Sequence, residues 1–199
     1  ANQIEKLYFN APSIYELPGA KAYVVGDKFE LSIDQNSYII AETPYRSKMR
    51  WLTDNKINLS IHDKLSSYMK AAPGCSEIIC YGVLFSAIKP FFVDAGINPC
   101  FAINVYGESG TYKTSIVKAM SYFIENTEEV TGSIINDRKN SIFQKLQQAY
   151  GMTFVLEDFH PTELGYEKKR QISLMDSVTR FIESDPKTAL VIMTSEFLD

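Results

Sequence analysis

The sequence predicts an α/β fold: a parallel sheet with helices on both faces, preceded by a small β-rich region and a helical segment. Three observations predict it. From Cys100 onward, short apolar runs alternate with stretches of helical periodicity, the pattern of successive βαβ units. Those runs (Phe101–Tyr106, Met152–Leu156 and Ala189–Met193) are largely unbroken, as strands buried on both faces are. The 199 residues are 45% hydrophobic and 22% charged, which supplies a buried core and excludes a disordered tail.

Residues 1–55 read as β-rich. Phe29, Leu31 and Ile33 alternate with polar neighbours, Asp34-Gln35-Asn36-Ser37 supplies turn chemistry, and Tyr38-Ile39-Ile40 resumes a strand, so a hairpin is expected. Residues 56–98 read as helical. Ser60 is a candidate N-cap for a helix with Ile61, Leu65, Tyr68 and Met69 on one face, stopped by Pro73-Gly74. Ser76 is a candidate cap for the apolar helix that follows, kinked or ended near Pro90. That stretch contains Gly82, Ser86, Lys89 and Pro90, so a buried helix is expected rather than a membrane span. Residues 99–199 form the α/β core. A helix carrying Ile116, Val117, Met120 and Ile124 follows the first strand. Ser141 is a candidate cap for the next helix, with Ile142, Leu146 and Ala149. A further helix carries Ile172, Met175, Val178 and Ile182 and closes at Asp185-Pro186.

The chemistry concentrates in Gly107-Glu108-Ser109-Gly110-Thr111-Tyr112-Lys113-Thr114, directly after a strand and before a helix. Successive backbone N–H groups in such a loop form a concave anion nest, and the helix behind aims its positive end at the same place. Gly107 and Gly110 permit the sharp turn, Lys113 reaches the β- and γ-phosphates, the Thr114 hydroxyl is placed for Mg²⁺, and Ser115 lies in the first helical turn. Tyr112 stands where the phosphate-loop pattern has glycine before the lysine, and a tyrosine at positive φ is costly. Phe154-Val155-Leu156 delivers Glu157 and Asp158 at its carboxyl end, where ligands of open parallel sheets bind. By position Glu157 is the metal-side acid and Asp158 the acid that polarises water. A third strand ends in Thr194 and Ser195.

Phosphate loop, acidic strand and polar-tipped strand, in this order, resemble the additional-strand P-loop ATPases, a class that includes the AAA+ and RecA-like enzymes. The resemblance covers residues 100–199, about half of the chain. Within that class the layout resembles helicase- and primase-associated ATPases of phages, plasmids and integrative elements. The apolar helix from Ile78, the Asn98-Pro99 loop, the strand into Tyr106-Gly107-Glu108-Ser109 and the Met193-Thr194-Ser195-Glu196 strand end carry it. The resemblance implies a P-loop NTPase that hydrolyses ATP with Mg²⁺, works as a homo-oligomeric ring or filament, and acts on single-stranded or duplex DNA. It implies that Lys113 neutralises phosphate, Thr114 and Glu157 hold Mg²⁺, Asp158 orients or deprotonates water, and Thr194 or Ser195 senses the γ-phosphate. The usual order of acids is Asp then Glu, inverted here. That inversion and Tyr112 support an alternative, a degenerate P-loop module that binds nucleotide without efficient hydrolysis and acts as scaffold or switch. A small-molecule phosphotransferase is disfavoured by the acidic pair on its own strand. The class's strand beside the loop strand and its helical lid have no counterpart before residue 199, so a piece of a longer protein is expected.

Twenty basic against 24 acidic residues give a net charge of −4, which disfavours a globally basic nucleic-acid binder. Cys75, Cys80 and Cys100 fit neither zinc spacing nor a disulfide framework, and no signal peptide is visible, so a cytoplasmic protein is expected. His160 reads as a surface residue, with contact to a nucleotide or water as the alternative, and His62 as the exposed face of a helix. Tyr45–Trp51 interleaves basic and aromatic residues, a pattern that grips single strands but also edges a core tryptophan. Arg138, Arg170 and Arg180 are each candidate trans-acting arginine fingers.

Overall fold

The structure is a computed structural model that describes residues 13–17, 20–24, 30–33, 37–40, 59–125, 131–160 and 165–196. Tyr45–Trp51 lies outside the described residues, as does the side chain of His62. Two antiparallel hairpins come first: β1 (Ser13–Leu17) with β2 (Ala20–Val24), and β3 (Glu30–Ile33) with β4 (Ser37–Ile40). The second is the hairpin expected from the Leu31/Ile33 alternation. Helices α1 (Leu59–Ala71) and α2 (Cys75–Asp94) follow.

The core is then β5 (Ala102–Tyr106), α3 (Lys113–Glu125), β6 (Thr131–Ser133), α4 (Lys139–Gln148), β7 (Thr153–Phe159), α5 (Gly165–Ser184) and β8 (Leu190–Ser195). The four strands form one parallel sheet in the order β5-β8-β7-β6. The last strand in sequence is therefore inserted between the first and the third. All four carboxyl ends emerge along one edge.

Side-chain parity explains why these strands read as continuous apolar runs. On one face Val105, Val155 and Ile192 pack with Ile79, Cys80 and Val83 of α2 and Val117 and Met120 of α3. On the other, Phe154, Leu156 and Val191 pack with Ile142 and Leu146 of α4 and Leu174, Val178 and Ile182 of α5. The central strands β7 and β8 meet a helical layer on both sides, so neither of their parities is polar before the strand end. Helix α1 braces this arrangement, because the Tyr68 hydroxyl donates 2.9 Å to the Ile116 carbonyl of α3. Burial, with Cys75 and Cys80 nearby, raises the Tyr68 phenol well above its ordinary pKa.

Several boundaries differ from those read in the sequence. Helix α1 begins at Leu59, so Ser60 lies inside its first turn. Helix α4 begins at Lys139 with Arg138 in the cap position, so Ser141 is helical rather than capping. Helix α2 begins at Cys75 after Gly74, whose φ is 82°. The Ser76 Oγ is buried with no hydrogen-bond partner among the described residues. Helix α2 also continues through Pro90 to Asp94, because Ile79, Val83, Lys89 and Pro90 are all held under neighbouring structure. It is apolar and long enough by composition to cross a membrane, yet it lies on the sheet. Strand β6 has no apolar run to announce it. Gly132 lets the Phe154 ring close over it, where a Cβ would come within 2.6 Å of Phe154 Cζ.

Lys89 is the largest of the fully buried side chains, 1% exposed. Its ammonium donates 2.8 Å to the Thr188 carbonyl and lies 3.4 Å from the Thr188 hydroxyl, fastening α2 to the turn that starts β8. Burial pulls its pKa from 10.5 down to about 8, opposed by the charges of Asp185 and Cys100.

Two expectations follow. A capping serine replaced by alanine costs about 1 kcal/mol, whereas Ser76→Ala, which removes an unpartnered hydroxyl, is expected to be neutral or stabilising in urea unfolding. Lys89 binds its proton less tightly folded than unfolded, so stability rises with pH between about 8 and 10.5. In paired urea titrations across that window, wild type is expected to gain stability relative to Lys89→Met, and parallel curves would show that Lys89 does not titrate there.

Candidate functional site

Strand β5 ends at Tyr106, and α3 begins at Lys113. The intervening turn is shaped by two left-handed residues, Gly110 at φ 79° and Tyr112 at φ 58°. Gly110 takes that conformation without a Cβ penalty, whereas Tyr112 takes it at a cost of about 1–2 kcal/mol. The sequence question about Tyr112 thus has a structural answer. The loop keeps the glycine-like backbone, and the ring is turned outward, 76% exposed at the cavity rim. Gly107 is not left-handed, but a Cβ there would stand 3.3 Å from Thr111 Oγ1, a tight contact. Its amide donates 3.3 Å to the Ser195 carbonyl, tying the start of the loop to the end of β8.

Lys113 is held by its own loop. Its ammonium donates 2.8 Å to the Gly107 carbonyl and 2.7 Å to the Glu108 carbonyl, with Thr111 Oγ1 at 3.4 Å. Thr111 in turn donates 2.8 Å to the Glu108 carbonyl. The first amides of α3 have no carbonyl one turn back to accept them, so they face the mouth of the site.

A cavity of about 270 Å³ opens at this edge. Gly110 and Tyr112 to Ser115 line one wall. Thr194, Ser195 and Glu196 at the end of β8, with His160 after β7, line the other. Thr194 faces the α3 side, where its hydroxyl stands 3.1 Å from that of Thr114. Ser195 has the opposite parity, and its hydroxyl donates 3.0 Å to Asn104 Oδ1 on β5. The structure thus brings Lys113, Thr114, Thr194 and Ser195 to one cavity and gives the two strand-end hydroxyls different partners. Glu108, Ser109 and Thr111 complete the loop outside the lining and are exposed.

The acids occupy an irregularity. Leu156 pairs with Met193 and Phe159 with Ser195, so β7 fits one residue more than β8 across Glu157 and Asp158. Such bulges re-aim side chains at strand ends. Glu157 turns toward α3 and forms an ion pair with Lys118. Asp158 lies in the strand, and its side chain is outside the described residues. Among the described residues no three His, Cys, Asp or Glu side chains gather as a metal site. Mg²⁺ requires no such cluster, since it takes one or two carboxylates together with substrate phosphates and water. Thr114 and Glu157 are hard oxygen donors of that kind, and Glu157 already accommodates the positive charge of Lys118. The donor chemistry is thus of the right kind, while Glu157 lies outside the residues that line the cavity and is held by Lys118.

Three site residues were missed or set aside in the sequence. Lys118 lies one helical turn beyond Thr114, a spacing that shares a face and signals it in retrospect. His160 was read as surface and Glu196 only as part of a strand end, yet His160 Nδ1 stands 2.9 Å from Glu196 Oε2 on the cavity wall. Thirty-five residues separate them, with no local signal to join them.

No family model matches the sequence, and no curated protein does. Among solved structures the chain is similar to "SCCmec type IV Cch - active helicase", with a TM-score of 0.56 and 20% sequence identity over 96% of this chain. It spans 36% of that protein's length. The similarity is one of fold: a parallel α/β sheet of the kind a helicase contains.

The loop geometry makes one prediction. Tyr112→Gly relieves the left-handed strain of about 1–2 kcal/mol but frees the unfolded chain by about 0.4–1 kcal/mol, so thermal unfolding is expected to show a net gain between about 0 and about 1.6 kcal/mol. A loss above 1 kcal/mol would mean that the exposed ring makes contacts that hold the loop.

Proposed function

We propose that this chain contains an ATP-binding and ATP-hydrolysing domain of the additional-strand P-loop type, working as a helicase-like motor in a mobile genetic element. The observation that carries the reading is the position of β8. It lies between the loop strand and the acidic strand and presents Thr194 to Thr114 beside Lys113. This is the arrangement in which one edge collects a phosphate loop, an acid and a polar tip. The fold likeness to a mobile-element helicase supports the coarse assignment.

In this reading the triphosphate draws Lys113 off the Gly107 and Glu108 carbonyls and takes their place on its ammonium. The α3 amides and the loop bind the β- and γ-oxygens. Thr114 and Glu157 would hold Mg²⁺, which supplies neutralisation of the phosphate charge. For Glu157 to do so it must exchange Lys118 for the ion. Thr194 reports on the γ-phosphate through the hydrogen bond between its hydroxyl and that of Thr114, and Asp158 is the acid assigned to the attacking water. DNA, a ring or filament of copies, and a cytoplasmic setting belong to the same proposal. The Lys118–Glu157 pair favours a second reading, a nucleotide-holding switch, if magnesium cannot displace the lysine.

ATP turnover with and without single-stranded DNA, alongside Mg·ATP titration calorimetry, tests the proposal. Lys113→Ala is expected to weaken binding at least tenfold and abolish turnover. Turnover equal in wild type and variant removes the enzyme reading, binding without turnover selects the switch, and no binding removes both.

A further inference from the structure

The wall of the cavity opposite the loop carries a pair that the roles above leave unused. His160 and Glu196 come from the ends of adjacent strands, β7 and β8, and their contact is framed by backbone. Glu196 donates its amide 3.2 Å to the Phe159 carbonyl, which fixes both chain ends side by side. His160 Nδ1 then stands 2.9 Å from Glu196 Oε2. Both side chains are partly buried, 36% and 27% exposed, and both line the cavity with Lys113, Thr114 and Thr194.

A carboxylate only accepts hydrogen bonds, so the proton of a neutral His160 belongs on Nδ1. Nε2 is then the acceptor nitrogen offered to a ligand in the cavity. We propose that His160, oriented by Glu196, is the group that positions and deprotonates the attacking water, with His160 as a catalytic residue and Glu196 as its positioning residue. The proposal rests on the nucleotide reading above and departs from it at one point, taking the role of base from Asp158. In the step, the water oxygen forms a bond to the γ-phosphorus while its proton passes to His160 Nε2. The bond from that phosphorus to the β–γ bridging oxygen breaks, and its electron pair leaves with ADP. Glu196 stabilises the imidazolium, which then returns its proton to solvent. The other ionisable groups lining this cavity are Lys113 and Tyr112 from the loop side. On His160's own strand Glu157 is held by Lys118.

The test compares wild type, His160→Asn, His160→Ala and Glu196→Gln in Mg·ATP affinity, single-turnover hydrolysis and imidazole nitrogen NMR. Affinity is expected to stay within about twofold in all variants, which also reports folding. Hydrolysis is expected to fall about 100-fold in both His160 variants and about tenfold in Glu196→Gln. NMR is expected to show the Nδ1–H tautomer, with Glu196→Gln perturbing it. Turnover that survives His160→Ala, or an imidazole held as the Nε2–H tautomer, overturns this inference and leaves the ATPase reading intact. Binding without turnover in wild type also overturns it and leaves the switch. A wild type that binds no Mg·ATP overturns both proposals.

Discussion

The register of β8 against its two neighbours is the constraint on which the site depends. Along β8 the even-numbered residues face α2 and α3 and the odd-numbered ones face α4 and α5, and both parities are apolar until the strand end. Only there do side chains become polar, and there parity assigns them: Thr194 to Thr114, Ser195 to Asn104. A slip of one residue would exchange these partners and carry Ile192 into the opposite cluster. The packing of the buried side chains on the two faces therefore decides which hydroxyl reaches the loop before α3. The other end of the strand is fastened independently. The Ala189 amide donates to the Leu146 carbonyl and the Leu190 amide to the Met152 carbonyl, while Lys89 grips Thr188 just before the strand begins. A buried ammonium bound to a carbonyl is a costly anchor, but it is directional, and a directional anchor sets register where apolar packing alone tolerates slippage.

Much of this was legible in the sequence because the signals are local. Three unbroken apolar runs gave the core strands, and the glycine-bearing turn between a run and a helical pattern gave the loop. The hairpin over β3 and β4 followed from alternation. What escaped has physical reasons. Strand β6 is three residues with a central glycine, and its place depends on the ring of Phe154, which is more than twenty residues away. Helix starts at Leu59, Cys75 and Lys139 lie next to serines that look like caps, because capping preference is weak beside the packing that sets where a helix meets the sheet. For the site, the loop residues could be named and their partners could not. That Glu157 meets Lys118, and His160 meets Glu196, depends on strand order and on the bulge in β7. No one-dimensional pattern contains those features.

The bulge decides which side chains at the end of β7 reach the cavity wall. In a regular strand Glu157 and Asp158 would point to opposite faces, with the longer side chain on the α3 face by parity alone. The extra residue between Leu156 and Phe159 breaks that alternation and resets it by Phe159, so that His160 arrives beside Glu196 at the cavity wall. Were the same residues to run as a regular strand, Phe159 and His160 would each take the opposite face, and His160 would leave the position from which it meets the end of β8. The irregularity thus does two things at once. It leaves Glu157 on the α3 face that parity already gives it, and it brings an imidazole to the wall that faces Lys113 and Thr114. A strand that ended regularly at the same acids could supply one of these but not both.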